Sequence, residues 1–354
     1  MSRNAPAKTN PGNYFEDFTL GQELAHATPR TVTEGDVSLY TALYGTRFAV
    51  QSADAFAQSV GLPGAPVDDL LVFHIVFGKT VPDISLNAVA NLGYAECRFG
   101  VPVYPGDTLT ARSTVIGLRE NANRESGVVY VRSEGVNQAG ETVLDYVRWV
   151  MVRKRDKQAS VVAASVPELA TSVAANDLVV PEALTLEDYD AILAGSPYRW
   201  CDYEIGERID HVDGMTIEEA EHMTATRLYQ NTAKVHFDQR LASGTRFGRR
   251  LIYGGHVISM ARALSFNGLA NAFKIAAINA GSHTNPTLAG DTIYAWSEVV
   301  EKAALDGRDD IGALRLRTRA VKNADAASFP DKGADGKADP SVVLDLDYWA
   351  LMPR

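Results

Sequence analysis

Residues 18–24 read FTLGQEL, and residues 203–209 read YEIGERI. Leu20-Gly21 in the first stretch meets Ile205-Gly206 in the second, 185 positions on (206 minus 21). Thr31-Val32 and Thr216-Ile217 keep that offset. Further along, Pro102 and Gly106-Asp107-Thr108-Leu109 answer to Pro286 and Gly290-Asp291-Thr292-Ile293, at 184 (290 minus 106). Leu144-Asp145 and Trp149 answer to Leu344-Asp345 and Trp349, at 200 (349 minus 149). Landmarks kept in one order at nearly constant spacing mark a tandem duplication. The jump of 16 (200 minus 184) falls in KNADAASFPDKGADGKADPS, residues 322–341, whose Ala, Asp, Gly and Lys content predicts a mobile surface insertion.

Working outward from those landmarks, residues 14–155 form one unit and 191–354 a second. The intervening 156–190, rich in Ala, Val, Ser and Pro, reads as a linker crossing the surface with at most a short helix. A length of 354 residues agrees with two domains. Each unit repeats the same order of signals. Thr31 and Thr33, then acids, then Val37, Leu39, Tyr40 and Leu43 predict a threonine-capped helix, and TIEEAEHMTATRLY, residues 216–229, repeats the pattern. A second, more apolar helix follows, at VDDLLVFHIVFGKTV (67–81) and GGHVISMARALSFNGL (254–269). Apolar residues on most of its faces predict that other structure wraps it. TLTARSTVIGLRE, SGVVYVRSEGVN and TVLDYVRWVMVRK alternate apolar and polar residues between turn signals, as antiparallel strands do. The fold class is therefore α+β, a sheet wrapped around one helix in each unit, with the two units able to join edge strands.

The composition is that of a globular chain, 46% hydrophobic and 22% charged. A formal net charge of -10 speaks against nucleic acid or a membrane surface as partner. Arginines 227, 246, 249, 250 and 262 could still line a basic pocket, or equally a solvated, salt-bridged face. The two cysteines, Cys97 and Cys201, form no CxxC pair, which predicts no metal centre and suits a reducing compartment. No stretch is apolar enough for a signal peptide or a membrane span, so a cytoplasmic location is expected. Phe77-Gly78-Lys79-Thr80 ends like a phosphate-binding loop, but Phe73 stands where that motif needs glycine. With no GxGxxG, HExxH or GxSxG present, no cofactor is expected.

The order of these signals resembles the MaoC-like, R-specific enoyl-CoA hydratases of the hot-dog fold, over nearly the whole chain and as a double hot-dog. The Pro-x3-Gly-Asp-Thr-hydrophobe pattern, Pro102 to Leu109 and Pro286 to Ile293, is typical of such folds. The sharper likeness is QNTAKVH, residues 230–236, which aligns with the family's Gly-Asp-x-Asn-Pro-x-His segment. The resemblance implies that His236 is the catalytic histidine and that Asn231 stands where the family has an aspartate. It also implies that Gly255, with Gly254 beside it, offers backbone N–H groups to the thioester carbonyl. In the first unit GTRFAVQ, residues 45–51, places Thr46 and Gln51 at the matching positions, so that unit looks catalytically silent.

Water addition to an enoyl thioester requires a base for water, an acid for the α-carbon and a stabiliser for the enolate oxygen. Histidine suits the proton transfers near neutral pH. Amides at a helix N-terminus suit the oxygen, and glycine removes the Cβ that would block approach. Asn231 cannot accept a proton as a carboxylate does, so its expected role is to hold water or a substrate carboxylate, with Glu219, Glu221 or Asp238 as possible relays. His256 and His283 are expected to be packing residues, and Asp107 and Asp291 to shape turns.

Within the family the resemblance points to a branched, carboxylated C5 enoyl-CoA of the mesaconyl type, as used in acetate assimilation, for which Arg47, Arg227 and Arg250 are the candidate carboxylate ligands. The alternatives are hydration of ordinary enoyl-CoA chains, thioester hydrolysis (to which QNTAKVH is a poor match), or non-catalytic acyl-CoA binding. A homodimer is expected from the family.

Overall fold

The structure, a computed structural model, describes residues 8–159, 163–333 and 335–354. Its first half runs β1 (Glu23–Thr31), α1 (Glu34–Tyr44), the short turns α2 (Ala49–Ser52) and α3 (Asp54–Ser59), α4 (Asp69–Thr80), then β2 (Ala88–Phe99), β3 (Thr108–Glu120), β4 (Ser126–Val136) and β5 (Thr142–Arg153). The second half repeats that order. It comprises β6 (Arg208–Asp210), β7 (Met215–Thr216), α5 (Glu219–Leu228), single turns α6 (Lys234–Phe237) and α7 (Gln239–Ala242), α8 (Gly254–Leu264), α9 (Phe266–Leu269), β8 (Lys274–Ser282), β9 (Thr292–Leu305), β10 (Arg308–Lys322) and β11 (Val342–Pro353). All strand pairs are antiparallel, in the order β1-β3-β4-β5-β2-β8-β11-β10-β9-β6, with β7 against β9. This is the double hot-dog, an α+β architecture.

The two halves meet at β2 and β8, as the need to protect edge strands suggests. There Tyr94 pairs with Gly281 and Cys97 with Ile278. Moving either pair by 184 positions generates the other, so the duplication is read directly in the register. The same relation recurs between the helices of the two units. Tyr44 OH and Tyr229 OH are 2.7 Å apart, His74 Nε2 and Ser259 Oγ 2.9 Å, and each couple is separated by 185 residues. Corresponding residues of the two units thus face each other across a pseudo-twofold axis.

Every residue of α4 is buried, and nine of the eleven in α8. Both helices share one core with the inward residues of the sheet, among them Leu344, Leu346, Tyr348 and Ala350. Trp349 and Leu351, alternating with those positions, point to the other face, where Leu184, Leu186 and Tyr189 of the inter-unit segment cover them. Val173 fastens that segment, accepting from Trp349 Nε1 at 3.0 Å and donating to Asn279 Oδ1 at 2.8 Å. Among its described residues the helical content is one 3-10 turn, Ala175–Asp177. The 322–341 segment returns over the same side: Phe329 packs on Trp296, and Trp296 Nε1 donates to Pro330 O at 3.0 Å.

Two local expectations need correction. Thr33 does cap α1, in a reciprocal box with Asp36, but Thr216 caps nothing. It lies in β7 with its hydroxyl 2.8 Å from that of Thr292, just as Thr31 meets Thr108 in the first half. Glu218, the counterpart of Thr33, is the N-cap of α5 without a side-chain bond. The helix expected over 254–269 is also interrupted, because Gly268 takes φ +101 against Ile209 and Asn267 turns to donate to His211 O. Glycine tolerates that left-handed conformation without a Cβ clash.

Candidate active site

The 230–236 segment turns sharply after α5. Gln230 adopts a left-handed φ of 55, and Asn231 is buried with its N–H on Thr226 O at 2.9 Å. Asn231 Oδ1 accepts from Ala233 N at 3.2 Å, an Asx turn that starts α6. This turn presents His236. Its Nδ1 lies 2.9 Å from Leu251 O, and Val235 O accepts from Leu251 N at 3.1 Å. A carbonyl only accepts, so Nδ1 carries the hydrogen and Nε2 keeps its lone pair. Burial pushes the His236 pKa below its ordinary value, partly offset by the Leu251 carbonyl. The ring is therefore neutral at pH 7, with Nε2 able to take a proton.

Three residues beyond Leu251, α8 begins. Tyr253, its N-cap, donates its N–H to His222 Nε2 at 2.9 Å. The next two amides, of Gly254 and Gly255, have no partner among the described residues. They are orphan donors at the positive end of an eleven-residue helix. A Cβ on Gly254 would lie 2.3 Å from the His283 ring, and one on Gly255 would lie 2.4 Å from Tyr253 and 2.5 Å from His74. The glycines are thus required by the rings packed on them as well as by approach to the amides. The His236 and Tyr253 ring centroids are 5.6 Å apart, so the imidazole and the helix start share one locus.

Behind this locus lies a buried network of tyrosines and histidines. Tyr44 OH is 2.7 Å from both Tyr229 OH and His256 Nδ1, and Tyr40 donates to Ser259 Oγ at 2.9 Å. Burial holds His256 at about 3; burial and the neighbouring His256 and His283 hold His74 at about 3; burial and the neighbouring His256, His236 and Arg250 hold His222 at about 2. His256 is thus a packed, bonded core residue, as expected. The part of His222 and of the Tyr44–Tyr229 couple was not foreseen, although the latter could have been sought at the repeat offset.

The candidate arginines separate. Arg250, directly before Leu251, pairs with Glu219 at 3.0 Å, and its Nε is buried without a partner. Arg227 is exposed on α5, while Arg47 stacks on Phe266 at 4.7 Å, next to Thr46 and the start of α4. Of the wider cluster, Arg262 is buried over the Phe48 ring, Arg246 stacks on Phe247, and Arg249 donates to Ala289 O. The five therefore form neither a single pocket nor a single solvated face. Among the possible relays, Glu219 is engaged by Arg250, Asp238 caps α7 through Leu241 N, and Glu221 is exposed.

The matching place in the first half has different chemistry. Asp68 caps α4 through Leu70 N, Asp69 meets Lys274 Nζ at 2.7 Å and Ile275 N at 3.0 Å, and Gln51 Nε2 donates to Asp69 at 3.2 Å. Thr46 Oγ1 lies 3.4 Å from Asp68. A carboxylate occupies the helix start, and Leu70 stands where the second half has Gly255. Among the described residues no cluster of His, Cys, Asp and Glu could hold a metal, and no helix is long and apolar enough to cross a membrane. Cys97 is buried and Cys201 exposed, both free.

A sheet wrapped twice around a central helix, with an imidazole set against free amides in the second unit, defines the MaoC-like double hot-dog class. The solved structure of a MaoC domain protein dehydratase from Chloroflexus aurantiacus superposes with a TM-score of 0.96, at 66% identity over 98% of this chain and 99% of that one. The chain belongs to the mesaconyl-CoA hydratase family, whose model matches residues 3–332. The β-methylmalyl-CoA dehydratase of Chloroflexus aurantiacus is 66% identical over 98% of this chain and 99% of its own length. The mesaconyl-CoA hydratase of Cereibacter sphaeroides is 64% identical over 98% and 100%. The protein is accordingly a hydro-lyase, and non-catalytic binding no longer accounts for it.

Proposed function

We propose that the protein catalyses the reversible addition of water to mesaconyl-CoA, giving β-methylmalyl-CoA, at the start of α8. One observation carries the mechanistic reading: the bond from His236 Nδ1 to Leu251 O, which leaves Nε2 free beside the unpartnered amides of Gly254 and Gly255. In the hydration direction His236 Nε2 takes a proton from water as the water oxygen bonds to the β-carbon. The displaced electron pair moves to the thioester oxygen, which the Gly255 amide, with Gly254 beside it, stabilises. Protonated His236 then returns the proton to the α-carbon, the enolate collapses to the thioester, and the imidazole is again neutral. Asn231, with Oδ1 held by Ala233 N, keeps its amide NH2 to orient the water.

Arg250 is the arginine best placed for the substrate carboxylate, since its Nε is buried and unpartnered beside Leu251, whose carbonyl holds His236. The family relationship supports the acyl-CoA substrate, and a homodimer in the cytoplasm accords with that relationship and with two free cysteines. The test is loss of conjugated thioester absorbance with mesaconyl-CoA and with crotonyl-CoA in parallel. A strong preference for mesaconyl-CoA, reduced about tenfold or more in Arg250→Met, supports the reading. Preference for crotonyl-CoA would instead assign the ordinary enoyl-CoA reaction and remove the carboxylate role of Arg250.

A further inference from the structure

The 230–236 segment carries the amide of Asn231 and no carboxylate, yet the second half holds a second imidazole at the start of α8. His283 follows β8 and lies so flat against Gly254 that a Cβ there would be 2.3 Å from its Cε1 and Nε2 and 2.5 Å from its Nδ1. The ring is half-buried, and its Nδ1 has no partner among the described residues. Its Nε2 lies 3.3 Å from Tyr94 OH, which comes from β2 of the other half. Tyr94 is buried, and His283 is its hydroxyl's sole partner among the described residues. Burial pushes the phenol up, so it stays protonated. A buried hydroxyl hydrogen left unbonded is costly, so Tyr94 donates to Nε2 and the ring hydrogen sits on Nδ1.

We propose that His283 is a further catalytic residue: its Nδ1–H, fixed by Tyr94 as a positioning residue, joins the amides of Gly254 and Gly255 as a donor to the thioester oxygen that becomes the enolate. This rests on the hydration reading above. Burial and the nearby His236 keep the ring neutral, at about 4, so it donates a hydrogen bond without delivering its proton. The first half lacks the device. Phe99 stands at the position equivalent to His283 (283 minus 184), and Asp69 stands where the second half has Gly254. One unit thereby orients a group in the other unit's site, which explains why a silent half is kept in register across β2 and β8.

The test compares His283→Phe, His283→Asn and Tyr94→Phe, all checked by thermal melting, on whichever of mesaconyl-CoA and crotonyl-CoA the wild type hydrates. A failed substrate assignment and a failed role for His283 then read out separately. His283→Phe should lower kcat by about 100-fold with KM within about threefold, as loss of one oxyanion donor does. His283→Asn, whose amide can place a donor near the position of Nδ1, should recover at least about tenfold of that loss. Tyr94→Phe should lower kcat by about tenfold, and 15N shifts of His283 should show the ring hydrogen redistributing between its nitrogens. A His283→Phe enzyme with kcat within about threefold of wild type would overturn the proposal, as would a His283→Asn enzyme no better than the Phe variant. Tyr94→Phe with an unchanged His283 tautomer would remove Tyr94 from it.

Discussion

At the residue, the proposed mechanism depends on an imidazole kept neutral with one nitrogen committed and the other free. Depression of the His236 pKa by burial extends the base-competent form to lower pH than a free histidine allows. For hydration, kcat/KM should therefore be flat through neutrality and fall only on an acid limb centred below about 6.5, and a pH–rate profile checks this. The histidines behind the site have a thermodynamic consequence. His222, at about 2, and His74 and His256, at about 3, are neutral in the folded state, whereas in the unfolded chain they protonate near 6.5. Below that pH the unfolded state binds more protons. The stabilisation these groups give is present above about pH 6.5 and is lost as pH falls from there toward 3, at up to about 1.4 kcal/mol per pH unit for each histidine. Urea unfolding between pH 7 and 5 should show the loss, with a smaller slope in His222→Gln. The motif singles out His236 and the paired glycines in the sequence, and the structure brings them to one locus. The proposed role of Tyr94 has no such signal, since its contact with His283 depends on the pairing of β2 with β8.

At the level of the element, the two central helices differ mainly in how they start. Asp68 accepts from the Leu70 amide at the head of α4 and Asp69 binds Lys274 across the junction, whereas Gly254 and Gly255 leave the first amides of α8 open. Gly255→Ala would bring a methyl group to 2.4 Å from Tyr253 and 2.5 Å from His74, both held in the packed network. We expect a loss of about 1–3 kcal/mol of stability from overpacking, together with a fall in kcat of about 100-fold as the amide is displaced. Melting curves and steady-state kinetics on one preparation separate the two effects. The helices themselves were legible as apolar runs after glycines or acids, and the strands as alternation. The error at Thr216 has a plain cause: a threonine before acids suits an N-cap and an edge strand equally, and only the partner at Thr292 decides between them. The break at Asn267 and Gly268 depends on His211 and Ile209, more than fifty residues away in sequence, and no local pattern announces it.

At the level of the molecule, the duplication was legible from spacing alone, and with it the joining of two sheets. What spacing could not supply is the chemistry at the junction. Asp69 of the first half and Lys274 of the second form an ion pair at 2.7 Å with both side chains about one-tenth exposed. Removing one partner of such a pair leaves a charge with little solvent, so Lys274→Met should cost about 3–5 kcal/mol in chemical unfolding. KM for the acyl-CoA should be unchanged, because the pair lies at the first half's helix start. A large rise in KM would mean that this end of the molecule also holds substrate.

The division of labour between the halves is the central claim, and hydration of mesaconyl-CoA by wild type, His236→Ala and Gln51→Ala enzymes tests it most directly. These two positions are equivalent in the duplicated fold. The account predicts a drop of about 100- to 10,000-fold in kcat for His236→Ala and a rate within about threefold of wild type for Gln51→Ala. A His236→Ala enzyme that keeps its rate, or a Gln51→Ala enzyme that loses it, would contradict the assignment of the chemistry to the start of α8.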